Sequence, residues 1–227
     1  LYNCTGLVSI DVVGEGGNYS AVGENGKKVL CSADGKTLVF CPRGKSGEYT
    51  IPTGVEIIDK SAFADCYYLT KVTIPGYVTT IGNSAFRNNA TYTYNSLLAQ
   101  VVFEEDGQSL TIGEYAFYAC HELTSVTLPR RLVKLGANAF GSISSLATVT
   151  INAAGARDAD GNYAVDFANG AFGSSVANVK IGPDVPDFDV AGVIGQNIQS
   201  VTVDAKNANF LSEDGVLYNK AQSKLLY

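Results

Sequence analysis

The one histidine of this 227-residue chain, His121, directly follows Cys120. A thiol beside an imidazole is the pair used by cysteine nucleophiles, because the thiol needs a base to become thiolate. Adjacent residues seldom orient toward each other, and such pairs normally assemble from distant segments. The sequence therefore predicts a solvent-facing loop histidine beside an unrelated thiol. With one imidazole, no Ser-His-Asp set can be built elsewhere, and G-x-S-x-G does not occur. A second candidate is Asp158-Ala159-Asp160-Gly161-Asn162. Oxygen ligands at alternate positions, here Asp158, Asp160 and Asn162, suit calcium. The third ligand before the glycine and the distal Glu of the twelve-residue loop are missing, and Asp-Gly-Asn is also ordinary turn chemistry. Both readings stay open. Gly14-x-Gly16-Gly17 lacks the P-loop lysine and the following helix, so it reads as a loop. No cofactor is expected.

The five cysteines, Cys4, Cys31, Cys41, Cys66 and Cys120, are an odd, sparse set with no zinc spacing. If Asp34-Gly35 is a two-residue turn, Cys31 faces Leu38 and Cys41 faces Lys28, on opposite faces of the hairpin. That argues against a disulfide and for buried thiols acting as small hydrophobes. Net charge is −6, with no basic stripe, which argues against nucleic acid. No apolar run approaches the ~18 residues of a membrane helix. An apolar fraction of 46% is too high for disorder. The chain has no Met, and it reads as an excerpt or a processed product.

These residues sit in a repeat. Ala-Phe recurs at Ala62-Phe63, Ala85-Phe86, Ala116-Phe117, Ala139-Phe140 and Ala171-Phe172. Ser61 to Asn83 aligns without gaps on Tyr115 to Ala137, sharing Ala, Phe, Cys, Leu, Val, an aliphatic-Pro pair, an aliphatic and Gly. Leu69, Val72 and Ile74 make a short strand with Thr73 pointing out, and Pro75 ends it. Val78 and Ile81 point inward on the return path, and Gly82 is expected to permit a tight bend. Cys66 fills a third inward position, taken by Ile143 in a later coil. A unit of this size cannot bury both faces alone, so neighbours must stack. The template places eight strands in one parallel sheet: Leu7–Val12, Tyr49–Ile51, Leu69–Ile74, Leu98–Phe103, Leu123–Leu128, Leu146–Ile151, Val176–Ile181 and Ile198–Val203.

Residues 87–96 and 153–168 interrupt the period, the second as a small hairpin or loop around Gly161-Asn162. Val29-Leu30-Cys31 through Leu38-Val39-Phe40 aligns on Val216-Leu217-Tyr218 through Leu225-Leu226-Tyr227, so each copy is expected to be a two-stranded hairpin. The resulting division is one solenoid over 1–227, with a hairpin insertion at 17–42, a main repeat block at 43–206 and a second, cut hairpin at 207–227. The phase places residue 1 in mid-repeat and makes the chain a window on a longer array.

The pattern A-F-x-x-C-x-x-L-T-x-V-T-(I/L)-P-x-x-(V/L)-x-x-(I/L)-G resembles the BspA-like leucine-rich repeat family of bacteria, and the D-G-V-L-Y-N-K hairpin resembles an element between its repeat blocks. The resemblance covers essentially the whole chain. It departs at Asn89, Ile143 and Ser175, where the Cys is lost, and in the irregular coil from Gly182 to Ile194. It implies a β-rich α/β leucine-rich repeat solenoid: a curved right-handed coil with a parallel sheet of about eight strands, an irregular or short-helical far side and inserted β-hairpins. It also implies a cell-surface or secreted protein that adheres to host matrix proteins or other cells, with no catalytic residues to transfer.

The outward strand positions form two columns. One holds Ser9, Lys71, Gln100, Ser125, Thr148, Asn178 and Ser200; the other holds Asp11, Thr50, Thr73, Val102, Thr127, Thr150, Lys180 and Thr202. Thr suits an exposed strand because it is β-branched yet polar, and neither column carries the Trp, Tyr or Arg typical of hot spots. Tyr67, Tyr68, Tyr77, Tyr92, Tyr94, Tyr115 and Tyr118 fall on turns, insertions and the non-sheet side, and Tyr is a low-entropy contact residue. These are the better contact candidates. The expected function is a non-catalytic, monomeric interaction module that binds an extracellular protein or glycan, without nucleic acid or membrane insertion. The alternative is a spacer within a larger surface protein, and part of a secreted enzyme is the least supported reading.

Overall fold

A computed structural model describes residues 4–14, 17–88, 96–157 and 163–220. Each coil of the solenoid has three sides. The front side is a strand ending at the Leu-x-x-Val-x-Ile motif. These strands pair in parallel in two blocks: Gly47–Thr50, Leu69–Ile74 and Gln100–Phe103 form one, and Ser125–Leu128, Thr148–Ile151, Asn178–Ile181 and Ser200–Val203 form the other. The register equates Lys71 with Gln100, Thr73 with Val102, Ser125 with Thr148 and Thr127 with Thr150. The expected columns thus hold position by position within each block.

Two features of the expected sheet differ. The front strands are not one continuous sheet, and the division falls after the coil carrying the 87–96 insertion. Leu7–Val12 forms no strand. The segment instead contacts the first hairpin and Gly44. The Lys28 amide donates to Ser9 Oγ, Lys28 Nζ pairs with Asp11, and the Gly44 amide donates to the Leu7 carbonyl.

The far side is more ordered than expected. The return segments Ile57–Ile58, Thr80–Ile81, Leu110–Ile112, Leu132–Leu135 and Asp166–Phe167 make a second parallel ladder. The first hairpin continues it through Thr37–Phe40, which pairs in parallel with Ile57–Ile58. That hairpin is a three-stranded meander, with Tyr19–Val22 and Val29–Ser32 preceding Thr37–Phe40. In the second copy, Phe210–Glu213 pairs with Val216–Asn219, and the segment 225–227 lies outside the described residues. The 153–168 insertion contains the antiparallel pair Ala156–Arg157 and Tyr163–Ala164. One short helix, Val190–Ile194, is present among the described residues.

The third side carries Ala-Phe. The residue before each pair has positive φ: Ser61 56°, Ser84 58°, Tyr115 56°, Asn138 53° and Gly170 69°. This left-handed residue turns the main chain so that the Phe amide points at the next coil. Phe63 donates to Ala85 O at 2.7 Å, Phe86 to Ala116 O at 2.7 Å, Phe117 to Ala139 O at 2.7 Å and Phe140 to Ala171 O at 2.8 Å. Cys41 begins the series, donating to Ala62 O at 2.8 Å. The rings stack in one column, Phe63–Phe86–Phe117–Phe140–Phe172, with centroids 4.6, 4.9, 5.0 and 5.3 Å apart and interplanar angles of 19° or less. Those distances match the ~4.8 Å strand spacing of a sheet, so ring stacking and strand pairing share one repeat. Each stacked pair adds about 0.5–1.5 kcal/mol beyond its buried area.

Gly82 is required for a different reason from the one expected. It is not among the positive-φ residues, and a Cβ there would lie 2.7 Å from Lys60 N and 2.9 Å from Asp59 C. Its constraint is the close approach of the preceding coil.

Cys31, Cys41, Cys66 and Cys120 are buried in the core. Cys31 pairs opposite Leu38 as expected, but a register shift between Leu30 and Cys31 ends the opposition of faces, and Cys41 points into the same core. The Cys120 thiol donates to the Phe86 carbonyl and Cys66 to the Cys41 carbonyl, each reaching the Phe-position residue of the preceding coil. Burial raises the Cys120 pKa to about 12. Burial, then the Asp34 charge, raises Cys31 to about 11.

Two outcomes follow from this core. In urea titrations, Phe117→Ala costs ~3–5 kcal/mol, whereas Thr127→Ser, on the exposed front face, costs under ~1 kcal/mol; equal losses would contradict the inside/outside assignment. The unfolded thiols ionise near the ordinary value of 9.0 while native Cys31 and Cys120 stay protonated. Their contribution to stability is therefore complete below pH 9 and is lost as pH rises from about 9 to 12. Urea midpoints measured across that window must fall, and a flat profile would contradict the burial.

Candidate interaction surface

The structure separates the two residues that most suggested catalysis. Cys120 is 0% exposed and its thiol is committed to Phe86 O. His121 is half-buried and lines a shallow cleft of about 350 Å³ with Ser142, Ser144 and Ser174. Among the described residues, no three His, Cys, Asp or Glu side chains converge as a metal site, and no helix is long and apolar enough to cross a membrane. Asp158, Asp160 and Asn162 lie outside the described residues.

The front face presents the predicted columns to solvent. Gln100, Ser125, Thr127, Lys180 and Thr202 are exposed, and Lys71, Thr73, Thr148 and Thr150 are half-buried. Glu48 extends the first column, and its carboxylate pairs with Lys71 at 3.1 Å. The face remains polar and lacks an aromatic anchor.

The tyrosines divide. Tyr67 is 5% exposed, so its place is in the wall of the solenoid and not at a contact surface. Tyr68 is half-buried. Tyr77 donates its hydroxyl to Ile51 O at 2.8 Å. It stands at the repeat position of Arg131, which does the same work more extensively. Arg131 is 7% exposed, and its guanidinium donates to the carbonyls of Pro75, Val78, Glu104 and Gln108. Burial lowers its pKa, opposed by Glu104 and Glu105. Both residues staple the corner between the front and return sides. The shared position was visible in the gapless alignment, but the common role was not, because a phenol and a guanidinium share only the ability to donate. Tyr92 and Tyr94 lie outside the described residues.

Tyr115 and Tyr118 are brought together. Tyr115 is 37% exposed and has a left-handed backbone, φ 56°, immediately before the buried Ala116-Phe117 pair. Its centroid is 5.4 Å from that of Tyr118, edge to face. Arg87, from the preceding coil, lies 5.9 Å from the Tyr115 ring centre and 5.4 Å from that of Tyr118. An exposed cation over an aromatic face is worth ~0.5–1 kcal/mol, enough to bias the orientation of all three side chains. Arg87 was missed because a lone charge before an insertion carries no sequence signal; only stacking of the coils sets it over the two rings.

Comparison with known proteins agrees with this geometry. The family model for the BspA type leucine rich repeat region, in six copies, matches residues 39–152 and 89–211. The structure is similar to that of the pneumococcal vaccine antigen PcpA, with a TM-score of 0.57 and 21% identity over 96% of this chain and 56% of that one. It is also similar to a leucine rich cell surface protein from Faecalibacterium prausnitzii A2-165, with a TM-score of 0.50 and 19% identity over 92% of this chain and 42% of that one. At these identities the likeness concerns the fold, and the chain spans about half the length of those structures. No curated protein sequence matches the chain. The matched repeats, the stacked Phe column and the two parallel ladders together place the chain in the BspA-type leucine-rich repeat family.

Proposed function

We propose that this chain is a non-catalytic interaction segment of a bacterial surface or secreted protein, and that it grips an extracellular protein through the third side of the solenoid. The observation that carries this reading is the Arg87–Tyr115–Tyr118 cluster. Arg and Tyr are the residue types enriched at binding hot spots, and here they are pre-ordered by contact with one another, which lowers the entropy lost on binding. The structurally similar proteins described as a vaccine antigen and a cell surface protein support an exposed location. Adhesion to host matrix proteins or other cells is the form of binding that this location serves. The second reading, a spacer, is supported by the polar, nearly neutral Thr/Ser columns, which lack anchors.

A screen of the purified chain against immobilised matrix proteins, host cells and glycans separates the two. The interaction reading expects reproducible binding that weakens at least about tenfold in the Tyr115→Ala/Tyr118→Ala double variant, with the thermal midpoint little changed because neither ring belongs to the stacked column. Binding that the double variant leaves intact overturns the assignment to this cluster, and no binding at all favours the spacer.

A further inference from the structure

The three departures from the repeat in the C-terminal half come together at one place. The hairpin of the 153–168 insertion supplies Tyr163, the irregular coil supplies Asp184 and Asp187, and the base of the second hairpin supplies Lys206 and Asn209. With Arg130 from a regular corner, they line a cleft of about 630 Å³. Insertions in solenoids map to loops on one face, which is often the binding face, and the volume falls within the range of small-ligand sites.

The cleft is held in shape by its own hydrogen bonds. Asn207, 1% exposed, donates to Gly182 O at 2.8 Å and Val185 O at 3.1 Å. Its carbonyl oxygen accepts from the amides of Asn209 and Phe210, both at 2.8 Å. Asn209 Nδ2 adds a further bond to Val185 O at 3.1 Å. One buried amide thus fixes the irregular coil to the base of the hairpin. On the other side, the Arg130 guanidinium pairs with Asp184, and the Arg130 amide donates to Glu105 Oε2 at 2.9 Å. Walls fixed in this way lose little freedom when a ligand enters.

We propose that this cleft binds a neutral oligosaccharide. Among the described residues that line it, the two basic side chains, Arg130 and Lys206, are balanced by the two acidic ones, Asp184 and Asp187, so they offer no net charge with which to select an anion or a cation. Carboxylate, guanidinium and amide groups each present paired acceptors or donors that match adjacent hydroxyls. Tyr163 is 52% exposed and supplies an aromatic face for the C–H surface of a pyranose ring. The cleft shares no residue with the Arg87–Tyr115–Tyr118 cluster, so the two sites are tested separately.

The test titrates the purified 227-residue chain with neutral hexasaccharides of glucose, mannose, galactose and N-acetylglucosamine, followed by calorimetry and by amide NMR shifts. At least one should bind with a dissociation constant of about 1 mM or tighter and shift the Asp187 and Lys206 amides. Tyr163→Ala and Asp187→Asn should each weaken it at least about tenfold while thermal unfolding is unchanged, and Tyr115→Ala should have no effect. The proposal is overturned if no hexasaccharide binds, if binding survives both cleft substitutions, or if a sulfated hexasaccharide or an extended peptide binds in preference through Asp187.

Discussion

The structure depends on one constraint: each coil must place a Phe ring directly above the last while its amide reaches the next coil's Ala carbonyl. Meeting both at the coil spacing requires a left-handed residue two positions before the Phe and a methyl-sized side chain between them. Ser61, Ser84, Tyr115 and Asn138 accept an uncommon backbone conformation to do this. Such conformations cost of order 1–2 kcal/mol each in L-residues and persist only where the surroundings over-determine them. Here the hydrogen bond and the ring stack supply that determination. Ala62, Ala85, Ala116, Ala139 and Ala171 hold that middle position, and all are buried.

Much of this scaffold was legible in the residues. The front columns followed from period-two alternation of Leu69, Val72 and Ile74 around Thr73, and the register reproduces them. The return ladder was not legible as a sheet, because strands such as Thr80–Ile81 are too short for alternation to show. The left-handed position was hidden for another reason: Ser, Tyr, Asn and Gly occupy it in different coils, so no residue type marks it. Gly82 was found by its recurrence but explained wrongly, since its role is contact with Lys60 and Asp59 across coils. Leu7–Val12 carries the full strand pattern and still forms no strand; Lys28 engages the side chains of Ser9 and Asp11, and the Gly44 amide engages the Leu7 carbonyl.

The candidate surfaces were less legible than the scaffold, because they are made between coils. Tyr115 and Tyr118 were visible as tyrosines off the sheet side, but Arg87 joins them only through stacking. Tyr67 has the same composition signal and is buried. The regular front face is polar and repetitive, and each proposed site includes a residue from an insertion, Arg87 in one and Tyr163 in the other. A rigid array makes that division possible, because insertions can vary without disturbing the column beneath them.

Amide hydrogen exchange measured residue by residue reads the central constraint most directly. If the Phe-to-Ala bonds hold the coils together, the amides of Phe63, Phe86, Phe117 and Phe140 are among the slowest to exchange, and they open with one shared free energy close to that of global unfolding. Exchange of these amides as fast as that of exposed turn residues, with protection confined to the front strands, would contradict it.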